Sequence, residues 1–389
     1  MASVSLPAPP VTISPASEAE IYRKAIETHG SPLLVINPAK IRRAYRSLND
    51  ALPGVGLYFA IKANPHRAVV KTLAECGASF DIATSGEIEL LREIKVRGDN
   101  CIHTHPIKRD KDIRDALRYG CTKFVVDNLE EIKKFIPYRN RVGILLRVSF
   151  PNPNSPVDLS KKFGCTPDNA IQLAETATEM GIKIKGFSFH AGSQCACPEN
   201  HTHAVERCAE LLMHYNETHE QNMSILDIGG GFPVPYDNGT PDIESFCAPI
   251  RNALKLLPEH IAVIAEPGRF LVADAATAVS TVIGVADRCD GRWYYLDDGV
   301  YGSYSGRIYD HANYPIRVFS DETSVTHPTI MAGPTCDSID VFAENINIPE
   351  LKIGDLVVGE MMGAYTNATA TDFNLFPRAK IIESTDAAF

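Results

Sequence analysis

Short apolar runs alternate with stretches of helical period along most of this chain. Leu57–Ile61, Ser79–Ile82, Cys101–Thr104, Lys123–Val126, Gly143–Val148, Ile184–His190, Ile225–Ile228 and Ala262–Glu266 read as strands, rich in β-branched and aromatic residues. Between them, Arg67–Cys76, Ser85–Lys95, Ile113–Tyr119, Asn128–Phe135 and Pro167–Met180 read as helices. Pro167–Met180 sets Ala170, Ile171, Leu173, Ala174 and Ala177 at helical spacing. Strict alternation implies a parallel sheet, and eight strand–helix units predict a closed (β/α)8 barrel of TIM type.

After Glu266 the pattern changes. Phe270–Asp287, Arg292–Leu296, Ile316–Val318, Thr329–Ala332 and Asp355–Glu360 read as strands without long helices between them, punctuated by turns such as Asp297-Asp298-Gly299. A second, mostly antiparallel β domain is expected. The early strand Pro32–Ile36 is a candidate to join it, because chain termini often lie close together. The division expected is an N-terminal segment 1–37 partly joining the β domain, a barrel over 38–270, and a β domain over 271–389.

Composition narrows the class. With 389 residues, 44% hydrophobic and 22% charged, the chain suits a two-domain globular protein. A net charge of −10 argues against nucleic acid and acidic membrane surfaces as partners. No apolar stretch approaches the ~20 residues needed to span a bilayer, so a cytoplasmic location is expected. The ten cysteines are scattered and read as reduced thiols. Cys195-Ala196-Cys197 with His201 and His203 looks like a metal cluster, but its spacing matches no standard zinc pattern, so no metal is expected.

Chemistry concentrates where the barrel strands end, the face that carries the active site in this architecture. Lys62 ends the first strand, Asp81 the second, Arg147 the fifth, His190 the sixth and Glu266 the eighth, while Gly229-Gly230-Gly231 follow the seventh. A lysine buried at a strand end favours the neutral amine, which attacks carbonyls, and pyridoxal phosphate (PLP) is the commonest carbonyl cofactor held this way. Glycine-rich turns let backbone N–H groups approach a phosphate. Glu266 is placed to hold a pyridine nitrogen protonated, and Arg269 adds a cation two residues after Pro267. His190 could lie against the ring, or be a hydrogen-bonded core histidine.

These motifs resemble the fold-type III, alanine-racemase-like PLP-dependent decarboxylases of basic amino acids, and within them the eukaryotic-type ornithine decarboxylases. The resemblance runs from about Pro32 to Phe376. It rests on Phe59-Ala60-Ile61-Lys62-Ala63-Asn64, Phe80-Asp81-Ile82-Ala83, His190-Ala191-Gly192-Ser193, Asp227-Ile228-Gly229-Gly230-Gly231-Phe232-Pro233, Glu266-Pro267-Gly268-Arg269, Tyr309-Asp310-His311, Gly333-Pro334-Thr335-Cys336-Asp337-Ser338 and Gly363-Ala364-Tyr365-Thr366. It implies that Lys62 holds the cofactor as a Schiff base, that His190 stacks on the ring, and that Glu266 holds the pyridine nitrogen. It further implies that Ser193, Gly230, Gly231, Gly268, Arg269 and Tyr365 form the phosphate side. Asp81, Glu87 and Arg147 would form a polar shell around Lys62. Cys336 would protonate the carbanion left by carbon dioxide. Asp310 and Asp337, beside Tyr309, would receive the substrate's distal ammonium, and Phe373 would close the site. A head-to-tail homodimer is implied, each site borrowing Cys336, Asp337 and Phe373 from the partner.

Relatives acting on diaminopimelate carry glutamate after the catalytic cysteine; Asp337 here favours a simple diamino acid, with ornithine ahead of lysine. One methylene separates those substrates, worth only ~1–3 kcal/mol in a pocket, so dual activity is plausible. Ala191 and Gln194 depart locally from the family pattern. The proline-rich loop Pro151–Pro156 before Lys161-Lys162-Phe163-Gly164 is expected to move over the site. A catalytically inactive regulatory homologue is the contrary reading, opposed by the joint presence of Lys62, Glu266 and Cys336. A racemase on the same barrel would need a catalytic tyrosine.

Overall fold

The computed structural model describes residues 7–152, 160–220, 222–237, 239–321 and 325–389. They form two compact units: the described parts of Arg42–Val234 with Pro241–Leu271, and those of Met1–Ile41 with Pro235–Thr240 and Val272–Phe389.

The first unit is a closed barrel of eight parallel strands: Gly56–Ala60, Ser79–Ile82, Cys101–His103, Lys123–Val126, Gly143–Arg147, Ile184–Ser188, Ile225–Asp227 and Ala262–Ala265. The last pairs with the first, Ile264 opposite Gly56. Tyr58, Ile102, Val125, Leu145 and Ile264 pack into one buried cluster. Local signals set the helices between. Thr84 and Glu87 form a capping box that starts Ser85–Glu93. Gly120, at φ +103°, ends Asp110–Tyr119 in the left-handed region, where glycine carries no Cβ penalty. Pro167 opens Pro167–Glu179, where its missing N–H costs nothing.

The second unit is a mostly antiparallel sheet. Val11–Ser14, Ile316–Phe319, Leu356–Gly359, Ala276–Arg288, Gly291–Leu296, His327–Ala332 and Val341–Ile348 lie side by side in that order. Leu33–Ile36 pairs antiparallel with Ala276–Arg288 and parallel with Lys380–Glu383. Tyr22, Leu33, Val35, Val279, Leu356, Val358 and Phe389 form its buried cluster. One expected strand starts late: Arg269–Val272 is a short helix and Ala273–Ala275 a 3-10 turn, so the strand expected from Phe270 begins at Ala276. Apolar side chains suit a buried helical turn as well as a strand, which is why the run read as continuous. Among the described residues no helix is long and apolar enough to cross a membrane.

Candidate active site

Lys62 sits in the 3-10 turn Ile61–Ala63 that follows the first barrel strand. Its Nζ donates to Asp81 Oδ2 at 2.9 Å. The reading of Lys62 as a buried amine is corrected here: about half of its side chain (49%) is accessible, whereas Asp81 keeps only 2%. The carboxylate, not the amine, takes the buried position of this pair. Asp81 is fixed in turn by the hydroxyl of Thr104, which donates to Oδ1.

Glu87 is the third residue of its helix, and its Oε2 accepts the N–H of Ala83 at 2.5 Å and of Thr84 at 3.1 Å. Burial pushes its carboxyl up from the usual range, opposed by the Ala83 hydrogen bond; Asp81 and Lys62 lie near enough to act on it electrostatically. Arg147 closes the fifth strand, and its guanidinium lies 5.6 Å from the Phe163 ring centre. Burial disfavours its charge, while Glu266, Asp127, Asp227 and Asp81 favour it; a guanidinium so surrounded stays a cation. The segment bearing Phe163 is anchored by Gly164 N–H on Asp127 Oδ2 at 2.8 Å. Residues 153–156 of the proline-rich loop lie outside the described residues; Asn152, just before them, donates Nδ2 to Ala191 O at 2.7 Å.

His190 lies two residues beyond the sixth strand. Its Nδ1 accepts the N–H of Gly192 at 3.1 Å, which leaves the proton on Nε2. Burial first, then the charges of Arg147 and Lys62, hold the ring well below the ordinary histidine range, so it is neutral. Ser193 Oγ accepts from Arg269 Nη2 at 3.2 Å. Gly268 is buried beside Arg269 and accepts the N–H of Leu271 at 3.2 Å.

The glycine turn permits close approach. Gly229 and Gly231 adopt φ of +66° and +92°. A Cβ on Gly229 would stand 2.2 Å from Phe189 O, one on Gly230 2.6 Å from Glu266 O, and one on Gly231 2.2 Å from Gly192 O. Glu266 N–H donates to Gly229 O at 2.7 Å, tying the eighth strand end to this turn. Its carboxyl is buried with that of Asp227, whose Oδ1 accepts Gly229 N–H at 2.9 Å. Burial raises both carboxyls; Asp227 and Asp81 raise Glu266 further, while the hydrogen bonds from Glu266 and Gly229 N–H oppose the rise at Asp227. Asp227 belongs to the Asp227–Pro233 motif, and the motif alone assigns it no role. The register of the seventh and eighth strands, Asp227 opposite Ile264, is the signal that could have coupled it to Glu266.

The cysteine–histidine stretch is engaged otherwise. Cys197 donates its thiol to Glu199 at 2.7 Å, and His201 Nε2 meets Gly230 O at 3.0 Å beneath the glycine turn. Since that acceptor is a carbonyl, Nε2 carries the proton.

The remaining candidates belong to the β unit. Cys336 is exposed rather than a core residue, and its N–H donates to Asn374 Oδ1 at 3.0 Å. Asp337 accepts the hydroxyl of Tyr301, a hydrogen bond that lowers its carboxyl below the usual range. Tyr301 stacks on Phe373 with centroids 4.5 Å apart, so Asp337 and Phe373 share one neighbour. Tyr301 was not anticipated. Asp310 caps the short helix Gly306–Tyr309, and Tyr309 is exposed. Tyr365 adopts φ +54°, its carbonyl against Gly306.

The barrel residues fit PLP. An amine, a neutral histidine, a buried acid for a pyridine nitrogen, and a glycine cradle beside Ser193 and Arg269 meet each chemical part of that molecule. Comparison with known proteins agrees. Residues 38–273 match the pyridoxal-binding domain of the pyridoxal-dependent decarboxylases. The chain is 36% identical over 368 residues to a lysine/ornithine decarboxylase of Selenomonas ruminantium, covering 94% of this chain and 92% of that one. It is 35% identical over 359 residues to antizyme inhibitor 2 of Xenopus laevis, covering 88% and 78%. Crystal structures of lysine/ornithine decarboxylase from Vibrio vulnificus are 50% identical. The putrescine complex superposes with a TM-score of 0.90 over 97% of this chain and 100% of that one. The cadaverine complex gives 0.91 over 96% and 100%. The chain therefore belongs to the fold-type III, PLP-dependent amino-acid decarboxylases.

Proposed function

We propose that this enzyme converts L-ornithine to putrescine and carbon dioxide, with L-lysine to cadaverine as a second activity, as part of polyamine synthesis. The observation that carries the reading is Asp337, next in sequence to Cys336 and held ionised by the Tyr301 hydroxyl. A fixed carboxylate recognises a distal ammonium, and a neutral tail would leave it unpaired. Asp310 is the second carboxylate of this pair. The relatives named for lysine and ornithine support the same pair of substrates.

The bound cofactor supplies an electron sink for the pair of electrons released when carbon dioxide leaves. The chain's own groups do the rest. Lys62 Nζ anchors the cofactor, and Asp81 keeps that amine in place between turnovers. Glu266 would pair with a protonated pyridine nitrogen and so keep it protonated, and Asp227 is buried beside Glu266. The neutral ring of His190 would support the cofactor's ring without adding charge. Gly230, Gly231, Ser193, Gly268, Arg269 and Tyr365 take the phosphate, while Arg147 and Glu87 set the charge around Lys62. The Cys336 thiol delivers a proton to the substrate's α-carbon, and Phe373 and Tyr309 shape the site around the substrate.

The reading includes a homodimer in which Cys336, Asp337 and Phe373 serve the partner's barrel; the exposure of Cys336 and Phe373 supports it. Mixing Lys62→Ala with Cys336→Ala chains should then restore about a quarter of wild-type activity, since half the random dimers gain one intact site. No recovery after verified subunit exchange would refute sharing. The substrate test is product analysis with ornithine and lysine in equimolar competition. Putrescine in excess supports the order proposed; cadaverine in excess reverses it; neither product overturns the substrate class.

A further inference from the structure

Gln194 is one of the local departures from the family pattern, and it occupies a demanding position. Its φ is +52°, left-handed backbone that a glycine would enter more cheaply. Its side chain makes a reciprocal pair with one residue: Nε2 donates to Val234 O at 3.0 Å, and Oε1 accepts Val234 N–H at 2.8 Å. The amide thus imitates a backbone peptide in an antiparallel ladder. Alongside it, Cys195 N–H donates to Gly231 O at 2.9 Å.

These bonds join two loops. One runs from His190 through Ser193 to Cys195; the other runs from Gly229 through Gly231 to Val234. Gly192 O already stands where a Gly231 Cβ would be, so the loops are in contact at their tips. Ser193 reaches Arg269 from the first loop, and the glycine N–H groups belong to the second. A cup for three phosphate oxygens depends on the spacing of these donors. Among the described residues the side chain of Gln194 hydrogen-bonds Val234 and none of these donors.

We infer that Gln194 is a positioning residue: it clamps the two loops and thereby sets the preference for a phosphorylated cofactor over its unphosphorylated form. This rests on the reading that Ser193, Arg269 and the glycines hold the phosphate. Two neutral hydrogen bonds, each of modest net worth, set the expected loss near tenfold.

The test is titration of the apoenzyme with PLP and, separately, with pyridoxal, followed by the absorbance of the bound cofactor. Gln194→Met keeps side-chain length and loses the clamp. It should weaken PLP binding about tenfold and leave pyridoxal within about twofold. Gln194→Gly loses the clamp while relieving the left-handed backbone, so it should melt close to wild type as apoenzyme and show the same loss of preference. Unchanged preference in either folded variant, or equal weakening of both cofactors, overturns the inference. Arg269→Met separates the two claims. If its preference falls while both Gln194 variants keep theirs, the phosphate reading stands and the clamp is wrong. If its preference is also unchanged, the phosphate reading fails first.

Discussion

Acidification should weaken the barrel through buried histidines, His190 among them, and one substitution should remove a defined share of that weakness. His103 ends the third barrel strand with 1% of its surface accessible. It stacks on Phe124 at 5.8 Å, and among the described residues neither ring nitrogen finds a hydrogen-bond partner. Burial, reinforced by the positive charge of Lys108, moves it from 6.5 to about 3. His201 falls to about 4, again chiefly through burial.

Above pH 6.5 both histidines are neutral in the folded and unfolded chain and contribute nothing to the pH dependence. As pH falls below 6.5 the unfolded chain takes up protons that the folded barrel refuses, so stability declines by about 1.4 kcal/mol per pH unit per group. The decline continues to about pH 4 for His201 and about pH 3 for His103. From pH 8 to pH 5 each contributes about 2 kcal/mol, together about 4. The raised carboxyls of Glu266, Asp227 and Glu87 act in the opposite sense, so the informative quantity is a difference between proteins. His103→Leu keeps an apolar body of similar size beside Phe124. Urea unfolding of the apoenzyme, followed by far-ultraviolet circular dichroism at pH 8 and pH 5, should show the variant losing about 2 kcal/mol less than wild type across that interval. Equal losses would refute the reasoning, because the wild-type slope would then owe nothing to His103.

Other consequences are more local. Gly231→Ala, at φ +92° and facing Gly192 O at 2.2 Å, should weaken PLP binding at least about tenfold in equilibrium dialysis; unchanged binding would show that the turn can shift. Lys108 Nζ donates to His105 O and Val125 O at 2.5 Å and to Pro106 O at 3.3 Å, fully buried. Lys108→Met should therefore cost about 2–4 kcal/mol in thermal unfolding, and a loss below about 0.5 would contradict that role. Asp340 Oδ2 accepts from Thr335 N–H at 3.0 Å and Thr335 Oγ1 at 2.7 Å, and its Oδ1 accepts Val300 N–H at 2.8 Å. Asp340→Asn should lower kcat about tenfold through a misplaced Cys336 while cofactor absorbance stays normal; unchanged kcat would free Asp340 of any part in placing that thiol.

Why some of this was legible and some not follows from the range of each interaction. A barrel strand declares itself by its own apolar run, and the barrel rule then locates chemistry at its end, so Lys62, Asp81, Arg147, His190 and Glu266 could be marked from local pattern. The β unit gave weaker signals. Val341–Ile348 alternates imperfectly between buried and exposed because bulges shift its register against His327–Ala332, and Val11–Ser14 is only four residues long. The state of each marked residue is a property of pairs. Lys62 proved half-exposed because its neighbour Asp81, not the lysine, occupies the buried position. The Glu266 carboxyl is raised by burial and then by Asp227 at the end of the adjacent strand. Gln194 shows the same limit: the sequence marks it only as a local departure, and its meaning lies in Val234, forty positions along the chain. Strand adjacency in a closed barrel is fixed by order, so pairs between consecutive strand ends are the portion of such coupling that a sequence can yield.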